Sequence, residues 1–247
     1  MTPHFGQWRK VGGAAGIASV VLGLVPAALI ADEPRFTDSG REIAVWYAHN
    51  GNRWLASTLV FCVALAFLFL PFLSALTSAL ASAEGEPPMW SRVAAAGGVL
   101  YVAVWLPGLG GEGIVSYLTT ETSADVARAG MAFALFVYSL AGLFAAVFVL
   151  SASLVVLQKG VFWSWLGWYG FVAAAVNLAG AAAIFDTPDG PFGVIRTRVA
   201  PPALAVWVVA ASVGMLRSRD EPAGLRDSVM VRGFGSGPRV AGEGGRR

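Results

Sequence analysis

Side chains able to do chemistry are few in this sequence, and most of them share one short stretch. Arg35, Asp38, Trp46, Tyr47, His49, Asn50 and Arg53 fall close together between two long apolar runs. Convergent charges beside aromatic walls suit a polar headgroup or a small amphiphile. If the loops at this end fold over the neighbouring segments, Glu112, Glu121, Asp186 and Arg196 join them. The plainer reading is interfacial anchoring by the aromatics with solvated charges around them. Asn177 stands apart, mid-run in GFVAAAVNLAGAAAIF. An amide in hydrocarbon seeks a partner, and such bonds contribute about 0.6–2 kcal/mol. It reads either as a ligand contact in a cavity or, more simply, as a packing bond to Ser or Thr on a neighbouring helix. The candidate ligand-binding residues are therefore Arg35, Trp46, Tyr47, His49, Arg53 and Asn177.

Several other chemistries lack their residues. The two histidines, His4 and His49, fall on opposite sides of the first apolar run, so they cannot jointly ligate a haem iron. There is no HExxH for zinc proteolysis and no phosphate loop or dinucleotide fingerprint. Cys62 is alone, which excludes a disulfide and a CxxC pair within the chain. Asp186 and Asp189 share a turn, but two carboxylates fall short of the six to eight oxygens that calcium prefers. No cofactor, no metal and no catalytic residue is expected, and the reading leans away from an enzyme.

The elements that must position these residues follow from composition. Of the 247 residues, 56% are hydrophobic and 13% charged. A soluble domain is about 45–50% apolar and about 25% charged, so this chain lacks the polar surface to face water. A span takes about 20 apolar residues. Six stretches qualify, near residues 11–31, 54–80, 93–110, 130–157, 161–185 and 199–216. The fold class is an all-α, polytopic transmembrane bundle. None of the six stretches contains Asp, Glu, Lys, Arg or His. Ion-coupled transporters and proton pumps place such groups at membrane depth, so that class is disfavoured. The third stretch is short and glycine-rich. Pro71 predicts a kink in the second, and Pro201 and Pro202 are read as opening the sixth. The first stretch follows Arg9 and Lys10 and has a signal-peptide flavour, but it is longer than an h-region of about 7–15 residues. An uncleaved first helix is preferred.

Basic residues set the orientation. With the N-terminus inside, eleven Lys and Arg fall on the cytoplasmic side and six outside. Without the seven arginines from 217 onward the inside count drops to four, so the tail carries the assignment of both termini to the cytoplasm. Ser39 and Glu42 fit a capping box that starts a short helix over 40–49, read as lying in the outer interface with its aromatics at headgroup level. Thr122 to Asp125 is a second helix start. Trp163, Trp165 and Trp168 look like an aromatic belt at the other face. Gly12 and Gly16, and the ladder Ala175, Ala179 and Ala183, allow close helix approach. Residues 218–247 are rich in Arg and Gly and are read as a disordered tail, solvated or bound to anionic lipid.

The basic start WRKVGGAAG, the long first outer loop entering the second span at NGNRWLAS, the short inner turn before SRVAAAGG and the charged tail together give a layout. It resembles small uncharacterised six-helix integral membrane proteins of GC-rich bacteria. The resemblance covers about residues 8–217, and it implies no activity and no functional residue. The expected function is non-enzymatic: binding or organising lipids or partner membrane proteins at an outer vestibule, in the cell membrane. The alternative is a transporter of a small molecule or lipid through an uncharged central cavity. Nucleic acid is disfavoured as a partner, since Phe234 alone interleaves the basic tail.

Overall fold

The computed structural model describes residues 4–118, 123–186 and 190–217. The tail over 218–247, Glu121 and Asp189 lie outside the described residues. Six long helices account for nearly all of the rest, with no strand among the described residues: α1 (His4–Leu29), α2 (Gly40–Glu84), α3 (Met89–Leu118), α4 (Ala124–Lys159), α5 (Ser164–Phe185) and α6 (Pro191–Arg217). Each is long and apolar enough to cross a membrane. Large apolar side chains point outward, among them Phe67 (73% exposed), Leu59 (66%) and Leu24 (63%). Such a surface is stable against lipid and not against water. The chain is a polytopic transmembrane bundle of six spans. Six crossings put the first and last helix ends on one face, and Gly13 of α1 does lie against Leu216 of α6. The connection 30–39 lies at the opposite face, called here the far end, with the C-terminal ends of α3 and α5 and the N-terminal ends of α4 and α6.

Neighbouring helices pack in chain order, and α1 closes the bundle against both α2 and α6. A core of Phe72, Leu76, Leu80, Phe148, Val149, Leu166 and Trp207 runs through it. Gly12 and Gly16 serve this closure: a Cβ on Gly12 would stand 2.2 Å from Ala75 Cβ, and one on Gly16 2.1 Å from Ser212 Oγ. The small-residue motif of α1 thus packs within the chain. On α5 the ladder is displaced from its expected register. Gly170, Ala173, Ala174, Asn177 and Gly180 are buried, whereas of the ladder itself Ala183 is buried, Ala179 half-buried and Ala175 exposed.

Three boundary expectations are corrected. The helix over 40–49 does not lie separately in the interface, because it continues without a break into the second span. Its capping box is present, with Ser39 Oγ accepting from the Glu42 N–H. Ile43, Tyr47 and Trp54 then face inward along one stripe, which fastens this stretch to the bundle. The third span does not stop near 110 but runs to Leu118, through GLGGEG. Glycines there act as contact points rather than breaks. A Cβ on Gly111 would be 3.0 Å from Gly130 O of α4, so the two backbones touch. The sixth helix begins at Pro191, and Pro201 and Pro202 lie inside it.

Pro71 of α2 and the pair Pro201 and Pro202 of α6 each follow a widened turn. Residues Ala64–Phe69 and Ile195–Val199 are π-helical. Leu70 N–H donates to Leu65 O and Ala200 N–H to Ile195 O, five residues back in each case. The wide turn accommodates the pyrrolidine ring and the missing N–H of the proline that follows.

Candidate functional site

The extension of α3 puts a carboxylate inside the bundle. Glu112 is 8% exposed, on the buried face of α3. The apolar stretch 93–110 itself holds no ionisable residue, as read from the sequence, but the helix that contains it is longer and carries Glu112 into the bundle. Arg196 likewise sits within α6 and donates to Leu135 O (2.9 Å) and Ser139 Oγ (3.0 Å) of α4.

Glu112 is held by the Tyr138 hydroxyl, which donates to Oε2 at 3.0 Å. A second carboxylate comes from the connection between α1 and α2. Glu33 accepts from the Tyr47 hydroxyl at 2.7 Å. Tyr47 is fully buried and Trp54, one helical stripe further along α2, is 2% exposed. The Trp54 indole interacts with both carboxylates, and Glu112 lies in the field of Glu33. Burial pushes the Glu33 carboxyl above its ordinary range, against the opposing effect of the Tyr47 hydroxyl and the nearby Trp54 indole. The groups acting on Glu112 are Glu33, Tyr138 and Trp54, none of them a cation. Ile43, Val115, Ala127 and Met131 complete the apolar surround.

Above this cluster lies a surface clasp. Asp32 pairs with Arg53 and accepts from Trp46 Nε1 at 3.4 Å. The Arg53 guanidinium sits 5.5 Å from the Trp46 ring centroid. Its hydrogen bond holds the Asp32 carboxyl below its ordinary range. Both members are exposed, so solvent screens the pair and it adds little to stability.

The six predicted site residues therefore separate. Trp46 and Arg53 meet in the clasp. Tyr47 lies beneath it, buried and bonded to the half-buried Glu33. Arg35 belongs to a turn in which its N–H donates to Asp38 Oδ2 at 2.8 Å. His49 is on the surface, with Nδ1 2.8 Å from Val45 O of its own helix, and with Trp46 and Asn50 it lines an open shallow groove. Asn177 is remote from all of these. Its amide donates to Ala173 O of its own helix at 2.8 Å, not to a neighbouring Ser or Thr, and it lines none of the cavities described here. Asp186 accepts from the Phe192 N–H and shapes the turn into α6.

Glu33 was missed by sequence reasoning because it lies in the connection after the first apolar run, where a carboxylate reads as solvated. The available signal was the inward stripe Ile43, Tyr47 and Trp54, since a buried tyrosine needs an acceptor.

Beside the cluster a groove of about 540 Å³ opens between α1, the π-helical stretch of α2 and the start of the straight part of α6. Gly23, Leu24, Phe61, Leu65, Phe69 and Leu204 line it, and Ser19, Tyr101 and Thr197 are its few polar side chains. Aromatic contacts connect its wall to the carboxylates. Trp105 lies 4.9 Å from Phe61 and 4.4 Å from Tyr138, centroid to centroid, and Tyr138 holds Glu112. No known protein family, characterised protein or solved structure matches this chain.

Proposed function

We propose that this membrane protein binds a lipid, taking one hydrocarbon chain into the groove between α1, α2 and α6. The observation that carries the reading is the groove itself. Its volume falls in the range of about 300–1,000 Å³ typical of ligand sites, and its walls are almost wholly apolar. It is formed by membrane-spanning helices, beside outward-facing Val21, Leu24 and Val206. At that depth the surrounding medium is hydrocarbon, so a lipid tail is the ligand at hand. The far-end clasp of Asp32, Arg53 and Trp46 supplies charges and an aromatic edge for a headgroup. With both termini cytoplasmic, this end faces outward and the bound lipid comes from the outer leaflet of the cell membrane.

Gly23 provides the test, because a Cβ there meets nothing within 4 Å. Gly23→Leu adds a side chain at the groove from a Cβ position that is open. Full-length protein is purified gently in native lipid, and co-purifying lipids are quantified by mass spectrometry. Retention of a defined lipid by the native chain, reduced at least severalfold in Gly23→Leu at unchanged melting temperature, is expected. Equal retention by both proteins overturns the proposal.

A further inference from the structure

We propose that Glu33 and Glu112 form a proton-binding site whose occupancy latches the connection 30–39 onto the bundle. This goes beyond lipid binding and does not depend on it. The carboxylates come from different parts of the chain, one from a connection and one from a helix interior, and each takes a tyrosine hydroxyl. A third hydroxyl flanks them. Ser116, 3% exposed, has an Oγ that is buried without a partner. It lies one turn beyond Glu112 and packs on α2 at Gly51, whose Cβ would stand 3.9 Å from Ser116 Cβ. Gly51 sits between Tyr47 and Trp54 on the inward stripe of α2, so this unpaired hydroxyl faces the same interface as the two carboxylates.

Charge accounting identifies the ligand class. Ionised, the buried Glu112 is poorly hydrated, and the half-buried Glu33 near it adds repulsion. A cation must enter or protons must stay. The charged and titratable groups around the pair are already engaged. On the connection, Asp32 is bound to Arg53 and Trp46, and Asp38 to the Arg35 N–H. On α2, Tyr47 donates to Glu33. On α4, Tyr138 donates to Glu112 and also feels Cys62, and Arg128 donates to Asp38 O and covers the Phe36 ring. Arg196 is committed to Leu135 and Ser139. The pair lines none of the cavities described above, and the proton is the one cation that needs no room. When protons leave, Glu112 is confined by its helix, whereas Glu33 can swing into water and take residues 30–39 with it.

The test uses the full-length chain in phosphatidylcholine nanodiscs, with Cys62→Ser and a spin label on Thr37→Cys, an exposed position of the connection. The label is expected to be constrained at acid pH and mobile at alkaline pH. In Glu33→Gln and Glu112→Gln, which keep shape and remove the charge, the transition disappears and the label stays constrained. Infrared difference spectra of the unsubstituted protein provide a reading that needs no variant: a protonated carboxyl C=O band is lost across the same pH range. Label mobility independent of pH, an unchanged transition in both Gln variants, or no carboxyl band in acid each overturns the proposal. Restoration of the constrained state by sodium but not choline at alkaline pH also overturns it, in favour of an alkali-cation site.

Discussion

Tyr138 of α4 donates its hydroxyl to Glu112 of α3 at 3.0 Å, and its ring packs 4.4 Å from Trp105. One side chain thus holds the innermost carboxylate and touches the wall that leads to the apolar groove. Tyr138→Phe preserves the ring contact and removes the donor from a buried acceptor. A loss of about 1–3 kcal/mol is expected, seen as a lowered melting temperature in detergent. Combining it with Glu112→Gln in a double-mutant cycle isolates the bond, and strictly additive effects would refute the coupling.

Stability should fall as pH rises above the ordinary glutamate range. The Glu33 carboxyl is raised in the folded chain by burial, so the folded state binds this proton more tightly than the unfolded state. Its contribution is complete below the unfolded value and is lost as pH passes through the folded value. Thermal melts across pH check this. Glu33→Gln should flatten the alkaline decline, and an identical profile in that variant would contradict the assignment.

Two glycines of α1 should respond in opposite ways to alanine. Gly23→Ala meets open space and should hold or gain up to about 1 kcal/mol through helix propensity. Gly16→Ala drives a Cβ to 2.1 Å from Ser212 Oγ and 2.5 Å from Phe72 Cδ2, which should cost about 1–3 kcal/mol through overpacking. Melting temperatures of the pair decide it, and equal tolerance would mean that α1 does not pack as described.

Removing the helix cap at the far end should act locally. Ser39 Oγ accepts from the Glu42 N–H at 3.2 Å while Glu42 returns a carboxylate to the Ser39 N–H at 2.9 Å. Ser39→Ala should cost about 0.5–2 kcal/mol. Hydrogen exchange by mass spectrometry should show faster exchange confined to the first turn of α2, and unchanged rates there would argue against the cap.

Asn177→Ala should leave lipid retention unaltered. The amide is 4% exposed and bonded within its own helix, so it serves packing. A retention defect comparable to that of Gly23→Leu would place a ligand at Asn177 instead.

Much of this molecule was legible in its residues. A 13% charged fraction and six apolar runs suffice for a six-span bundle, because hydrocarbon admits few other backbones. The Ser39–Glu42 cap was legible too, since both partners are local. The end of α3 was not. GLGGEG looks like a loop until α4 is present, and only contact between Gly111 and Gly130 explains why the helix continues and takes Glu112 inside.

Local order, apolar length and charge placement therefore follow from the chain read alone, since each depends on neighbours within a few residues. Helix rotation and approach do not. Glu33 meets Tyr47 across 14 positions and Glu112 meets Tyr138 across 26, because packed helices turn particular faces together. The groove likewise arises from two π-helical turns and a glycine facing one another across three helices. Such pairings are set by side-chain volumes in contact, and no single segment contains that information.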